Sequence, residues 1–216
     1  MCSAARPDRT LTNHRKTRKP AMDEIVRQAM AKWPDVPDCF GWLALDRRGQ
    51  WRMRNTYAQQ HKLSGDPVRH ATLIDFIVRN YTHDEAGRWF FQNGPQRVFV
   101  ELDYTPWIVR LSPEGAAPAL TTTTGAAFAP AGCFVDEHGN VLLAGRVAGQ
   151  DSSETLALLH DHDLEPFSSL AHWHGEACGA ALGTLPWGHR TFDIEPIRSA
   201  EVERRFGFVR HPAAPA

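Results

Sequence analysis

Four histidines and two aspartates crowd one stretch of this chain: His160-Asp161-His162-Asp163, then His172-Trp173-His174. In an extended segment each His-x-His sets two imidazoles on one face. Imidazole nitrogens bind zinc, iron or copper, and Asp161 or Asp163 could complete or orient such a site. The spacing matches no standard zinc signature, and Asp163-Leu164-Glu165-Pro166 reads equally well as a turn after a buried strand. Glu101 and Asp103 share a face of an alternating segment, with Tyr104 and Trp107 close by. Two carboxylates there could serve as acid and base or hold a cation, although a solvated strand end has the same pattern. Trp187 and Arg190 lie in Pro186-Trp187-Gly188-His189-Arg190, where an aromatic beside a charge could line a ligand pocket. The candidate ligand-binding set is therefore Glu101, Asp103, Trp107, Trp187 and Arg190. The candidate metal set is His160, His162, His172 and His174.

Nothing comparable supports nucleophilic catalysis. Cys39 and Cys133 have no neighbour in sequence that would lower a thiol pKa, and Cys178 has His174 nearby, although proximity in sequence says little about a Cys-His pair. Gly-x-Ser-x-Gly, P-loop and dinucleotide fingerprints are absent from the sequence. No catalytic residue is assigned.

These side chains need elements to position them. Two phrases repeat: Leu45-Asp46-Arg47-Arg48-Gly49-Gln50-Trp51 and Val135-Asp136-Glu137-His138-Gly139-Asn140-Val141. Each reads as a strand, a glycine-closed turn and a returning strand, and their recurrence points to two structural halves. Ile25, Val26, Ala29, Met30 and Trp33 fall at helical spacing, and Pro34 ends that helix. Thr72, with Asp75 three residues on, reads as the cap of a second helix carrying Leu73, Ile74, Ile77, Val78 and Tyr81. Residues 55–70 read as a polar loop. A three-stranded meander is expected over Arg88–Gln92, Arg97–Asp103 and Trp107–Leu111. Residues 113–119, rich in Pro, Gly and Ala, mark the boundary between halves. A Thr121–Thr124 strand, the second hairpin, a strand near Leu156–Leu159 and a short Ala200–Phe206 helix follow. The fold class is α+β: one domain over residues 22–211, in halves of about 22–112 and 119–211, with a loose tail at 212–216.

Composition narrows the options. The chain has 216 residues and a net charge of −1. Residues 1–21 hold six cations against Asp8, so they carry +5 and the remainder carries −6. That basic stretch lacks apolar periodicity and reads as disordered, with Met22 an equally good translation start. An acidic body argues against nucleic-acid binding, which would fall to the basic tail. No apolar run reaches the ~18 residues of a membrane span, and the N-terminus lacks a signal-peptide core. A cytoplasmic location and reduced cysteines are the expectation.

The first half resembles a known family. Its residues are Gly49-Gln50-Trp51, Leu73-Ile74 with Phe76, Gly87-Arg88-Trp89-Phe90-Phe91, and Arg97-Val98-Phe99-Val100-Glu101-Leu102-Asp103-Tyr104-Thr105-Pro106-Trp107. They resemble DUF1285, a proteobacterial family of unknown function with a Gly-x-Trp hairpin and a valine-rich strand ending in Glu-Asp-x-Pro-Phe. Here Leu102 interrupts the acidic pair and Trp107 stands for the phenylalanine. Thr122-Thr123-Thr124-Gly125 is similar to that family's Thr-rich strand. The likeness spans roughly residues 40–145 and is that of a sister family. It implies a two-repeat α+β fold and, by fold analogy alone, a signalling role; it brings no catalytic residues.

The leading expectation is a non-enzymatic module that binds a small ligand or a protein partner, with no cofactor. The alternative is a hydrolase dependent on a divalent transition metal such as zinc.

Overall fold

The computed structural model describes residues 22–112, 118–150, 154–174 and 181–214. The basic N-terminal stretch, residues 113–117 of the expected boundary, Cys2, Cys178 and residues 215–216 lie outside them. The elements run α1 (Glu24–Lys32), β1 (Cys39–Leu45), β2 (Trp51–Met53), α2 (Thr56–Gln60), β3 (Asp66–Pro67), α3 (Ala71–Arg79), β4 (Tyr81–His83), β5 (Trp89–Asn93), β6 (Gln96–Leu102) and β7 (Trp107–Ser112). They continue with β8 (Ala119–Thr122), β9 (Ala127–Asp136), β10 (Val141–Val147), β11 (Thr155–Leu159), α4 (Leu164–Leu170), β12 (His172–Trp173), β13 (Gly183–Trp187), β14 (Arg190–Ile197) and α5 (Val202–Phe206).

The architecture is α+β, with two sheets flanked by short helices. The first sheet has the order β3-β2-β1-β6-β5-β4 and the second β10-β11-β7-β8-β9-β14-β13-β12. A further β9–β10 pairing closes β7, β8, β9, β10 and β11 into a ring. β9 can serve three neighbours because it bends. Its first residues pair with β8, its last four with β14, and β10 follows it throughout. The bend lies where Pro130 and Gly132 face Gly145 and Ala144 with a shift in register. Gly145 is required there, since a Cβ would lie 2.3 Å from the Ala129 carbonyl oxygen.

Both sheets are mixed: β1–β6, β9–β14 and β7–β11 are parallel. The pairing scheme of the first sheet occurs again in the second. Leu43, Ala44 and Leu45 pair with Met53, Arg52 and Trp51 on one side and Val100, Glu101 and Leu102 on the other. Cys133, Phe134 and Val135 pair with Leu143, Leu142 and Val141, and with Ile194, Glu195 and Pro196, in the same register. The antiparallel run β4-β5-β6 corresponds likewise to β12-β13-β14, and a helix precedes each run.

The hairpin turns share one geometry. In Asp46–Gln50 and Asp136–Asn140 one carboxylate oxygen of the aspartate accepts the amides two and four residues on. The glycine adopts φ +78° at both Gly49 and Gly139, which an L-side chain resists. A third copy at Asp84–Arg88 has the same amide bonds and Gly87 at φ +74°.

Four local expectations are corrected. Tyr81 opens β4 and does not belong to α3, which ends at Arg79. β7 does not extend the β5–β6 meander; it crosses to the ring, where β8 and β11 pair with its two edges and its apolar residues are buried. His70, not Thr72, caps α3, its Nδ1 accepting the Leu73 amide. Residues 55–70 contain α2 and β3, because Asn55 caps α2 by accepting the Ala58 amide.

The core lies between the inner face of the first sheet, α3 and the ring. Trp51, Tyr81, Trp89 and Trp107 meet there with ring centroids 4.8 to 5.7 Å apart. The Tyr81 hydroxyl donates to the Pro106 carbonyl oxygen. Each such aromatic pair adds about 1 kcal/mol beyond its area burial.

Candidate functional site

The outer face of the first sheet carries a cavity of about 530 Å³. Strand alternation sends Ala44, Arg52, Arg54 and Glu101 to this face and Leu43, Trp51, Val100 and Leu102 to the core. The segment after α2 supplies Gln59, Lys62, Leu63 and Ser64, and the C-terminal segment supplies His211. Glu101 sits centrally: its Oε2 lies 2.8 Å from His211 Nδ1 and 3.8 Å from Arg54 Nη1. Arg54 is anchored by its Nε–H donating to the Leu63 carbonyl oxygen. Arg52 is paired with Asp46 at 2.7 Å and donates to the Gly65 carbonyl oxygen. Asp103 also lines the cavity. Its amide donates to the Leu45 carbonyl oxygen and its carbonyl oxygen accepts from Arg210.

The remaining candidates are dispersed. Trp107 is 3 % exposed inside the aromatic cluster, so its ring supports the core. Its indole N–H has no hydrogen-bond partner among the described residues. Trp187 is half-buried against the main core and pairs with Arg190 across the β13–β14 turn; neither lines the cavity of Glu101. Cys133 is buried, and burial pushes its thiol up to about 12; burial also raises Cys39.

The histidine cluster forms in part. Donor atoms of His160, Asp161 and His162 all lie within 4.8 Å of one another. His160 is buried at the end of β11, and its Nδ1 accepts the His162 amide at 3.2 Å. The same Nδ1 lies 2.9 Å from Asp161 Oδ1. Burial lowers the His160 pKa; the hydrogen bond from Arg48 lowers that of Asp161. Arg48 holds Asp161 Oδ2 at 2.6 and 3.0 Å from the β1–β2 turn, so a cation here must displace that guanidinium or share the carboxylate with it. His172 and His174 are exposed on and just beyond β12 and stand outside this group. α4 intervenes and carries them away. Asp163 is engaged elsewhere, accepting Arg110 Nε at 2.7 Å and the Leu111 amide at 2.9 Å.

A family model described as "Protein of unknown function (DUF2946)" matches residues 22–213. The chain belongs to this family, DUF2944. Two solved structures show a distant likeness to the DUF2944 chain. A DUF1285 family protein from Silicibacter pomeroyi DSS-3 is 18% identical, with 88% of this chain and 93% of that one covered and a TM-score of 0.46. A DUF1285 family protein from Shewanella baltica OS155 is 11% identical, covering 59% of this chain and 91% of that one, with a TM-score of 0.37. No curated protein matches the sequence. Among the described residues no helix is long and apolar enough to cross a membrane.

Arg52, Arg54, Lys62 and His211 are among the cavity residues that sequence reading missed. Arg52 and Arg54 were detectable, since they alternate with Trp51 and Met53 on the returning strand. His211 carried no local signal: it reaches Glu101 across 110 positions of chain.

Proposed function

We propose that this DUF2944 chain is a binding module that takes a small organic molecule in the cavity around Glu101, in a regulatory rather than catalytic role. The carrying observation is the cavity itself: about 530 Å³ with apolar side chains from Ala44 and Leu63 and a few convergent charges. Duplication of one six-stranded unit accounts for the recurring register, and in this reading binding is the task of the first copy. A thermal-shift panel of metabolites tests the proposal. A ligand at a hundred times its Kd adds about 2.7 kcal/mol, or a rise in Tm of about 8 °C. That rise should disappear in Leu63→Asp and in Glu101→Ala. A panel without any shift, or a shift indifferent to both changes, counts against it.

One observation favours a second reading, in which a divalent transition metal binds at His160, Asp161 and His162. Two imidazoles and a carboxylate within 4.8 Å are a donor set suited to zinc. A metal-dependent hydrolase would use such an ion to acidify water. Equilibrium dialysis of the purified chain with zinc, read by elemental analysis, should give one ion per chain and none with His160→Ala. Equal uptake by the two proteins removes this reading.

A further inference from the structure

The two equivalent registers allow the molecule to be compared with itself. Phe134 occupies in the second sheet the place that Ala44 holds in the first, and Glu195 that of Glu101. Over Phe134 the space is filled, while Glu195 and Arg205 stay about half exposed at its edge. The Phe134 ring lies 5.4 Å from that of Phe206 on α5, and the Arg205 guanidinium covers Phe134 at 4.5 Å. Arg205 Nη2 also sits 2.9 Å from Glu195 Oε2. An apolar ring and a cation thus complete the second site from within the chain. Around Glu101 no aromatic ring among the described residues lines the space over Ala44, and that space is the cavity. Glu101 is held by the Arg54 guanidinium at 3.8 Å and by the His211 imidazole, which is 68 % exposed and sits on the C-terminal segment.

We infer that the ligand of the Glu101 cavity is an organic cation, an ammonium or guanidinium on an apolar or aromatic body. This rests on the cavity reading above. The cation replaces His211 at Glu101, and the body fills the volume over Ala44 that Phe134 and Phe206 fill in the other sheet. Asp103 adds a second carboxylate at the rim, and its side chain makes no ion pair or hydrogen bond among the described residues.

Titration calorimetry on the full chain tests the inference with four probes of one shape: benzylamine, benzamidine, benzyl alcohol and benzoate. The two cations should bind at least roughly tenfold more tightly than the alcohol or benzoate. Glu101→Gln should erase that preference, whereas Glu195→Gln should leave it in place. Ala44→Phe, which installs the second sheet's own solution, should abolish binding of every probe. Benzoate or benzyl alcohol binding as well as the amines, in a manner sensitive to Ala44→Phe, overturns the cationic class and leaves the cavity reading standing. Silence from all four probes overturns both. Should Ala44→Phe fail to fold, the Glu101→Gln comparison alone decides the charge preference.

Discussion

Replacing Asp136 by alanine should cost about 3 kcal/mol of stability, a fall in Tm of about 9 °C for a domain of this size. Asp136 is 5 % exposed and accepts four hydrogen bonds. Its Oδ1 takes the His138 and Asn140 amides at 2.9 Å, and its Oδ2 takes the Tyr104 hydroxyl and Asn140 Nδ2 at 2.7 Å. Tyr104 is itself buried, lies on the crossing from β6 to β7, and has the Arg47 and Arg210 guanidinium groups over its ring. The substitution therefore orphans a buried phenol and loosens a turn together. Asp46 and Asp84 form the same turn without a tyrosine on the carboxylate, so alanine there should cost about 1 kcal/mol. Urea unfolding at neutral pH measures all three; equal losses would show that the tyrosine bond contributes nothing.

The same group sets an acid limit. Burial alone would raise the Asp136 pKa, but the hydrogen bonds from Tyr104, Asn140 and His138 prevail and hold it below the ordinary aspartate value. A depressed carboxylate contributes stability that is fully present above its unfolded value and is lost as the pH falls through the folded one. Asp163, whose pKa is lowered because Arg110 and the Leu111 amide outweigh burial, acts in the same direction. Stability should hold above about pH 4 and drop below it, and Asp136→Asn should flatten that drop. A variant that loses stability in acid as steeply as the parent would contradict the assignment.

Phe99→Ala should cost about 4 kcal/mol, and Phe99→Leu about 1 kcal/mol. Phe99 is 0 % exposed although it points away from the main core, two residues before Glu101 on the same face of β6. Phe40 stacks on it at 4.5 Å, Phe90 lies at 5.5 Å, and the Arg88 guanidinium covers it at 4.8 Å. This second apolar layer stiffens the strand that presents Glu101. A loss under about 1 kcal/mol for the alanine variant would mean that the layer collapses onto itself and holds nothing in place.

What could be read in advance followed the range of the interactions. The Asp46 and Asp136 turns are legible because the aspartate bonds to amides two and four residues away, and the glycine answers a backbone demand. The third turn at Asp84 was hidden by its sequel, since Trp89, Phe90 and Phe91 form an unbroken apolar run with no alternation. The α+β class followed from short-period patterns. The parallel β1–β6 and β9–β14 pairings did not, because they join strands far apart in the chain. Glu101 could be singled out from alternation, but its surroundings come from β2, from the segment after α2 and from the last residues. His160, Asp161 and His162 are neighbours in space because they are neighbours in sequence; His172 and His174 are separated from them by a helix.

The account stands most directly on native mass spectrometry of the chain and of Ala44→Phe, each purified gently from host cells. The expected result is a small, positively charged adduct on the parent protein, releasable by collisional heating, and a bare Ala44→Phe protein. The same adduct on both proteins, or the same bare mass for both, would contradict a ligand seated over Ala44 beside Glu101.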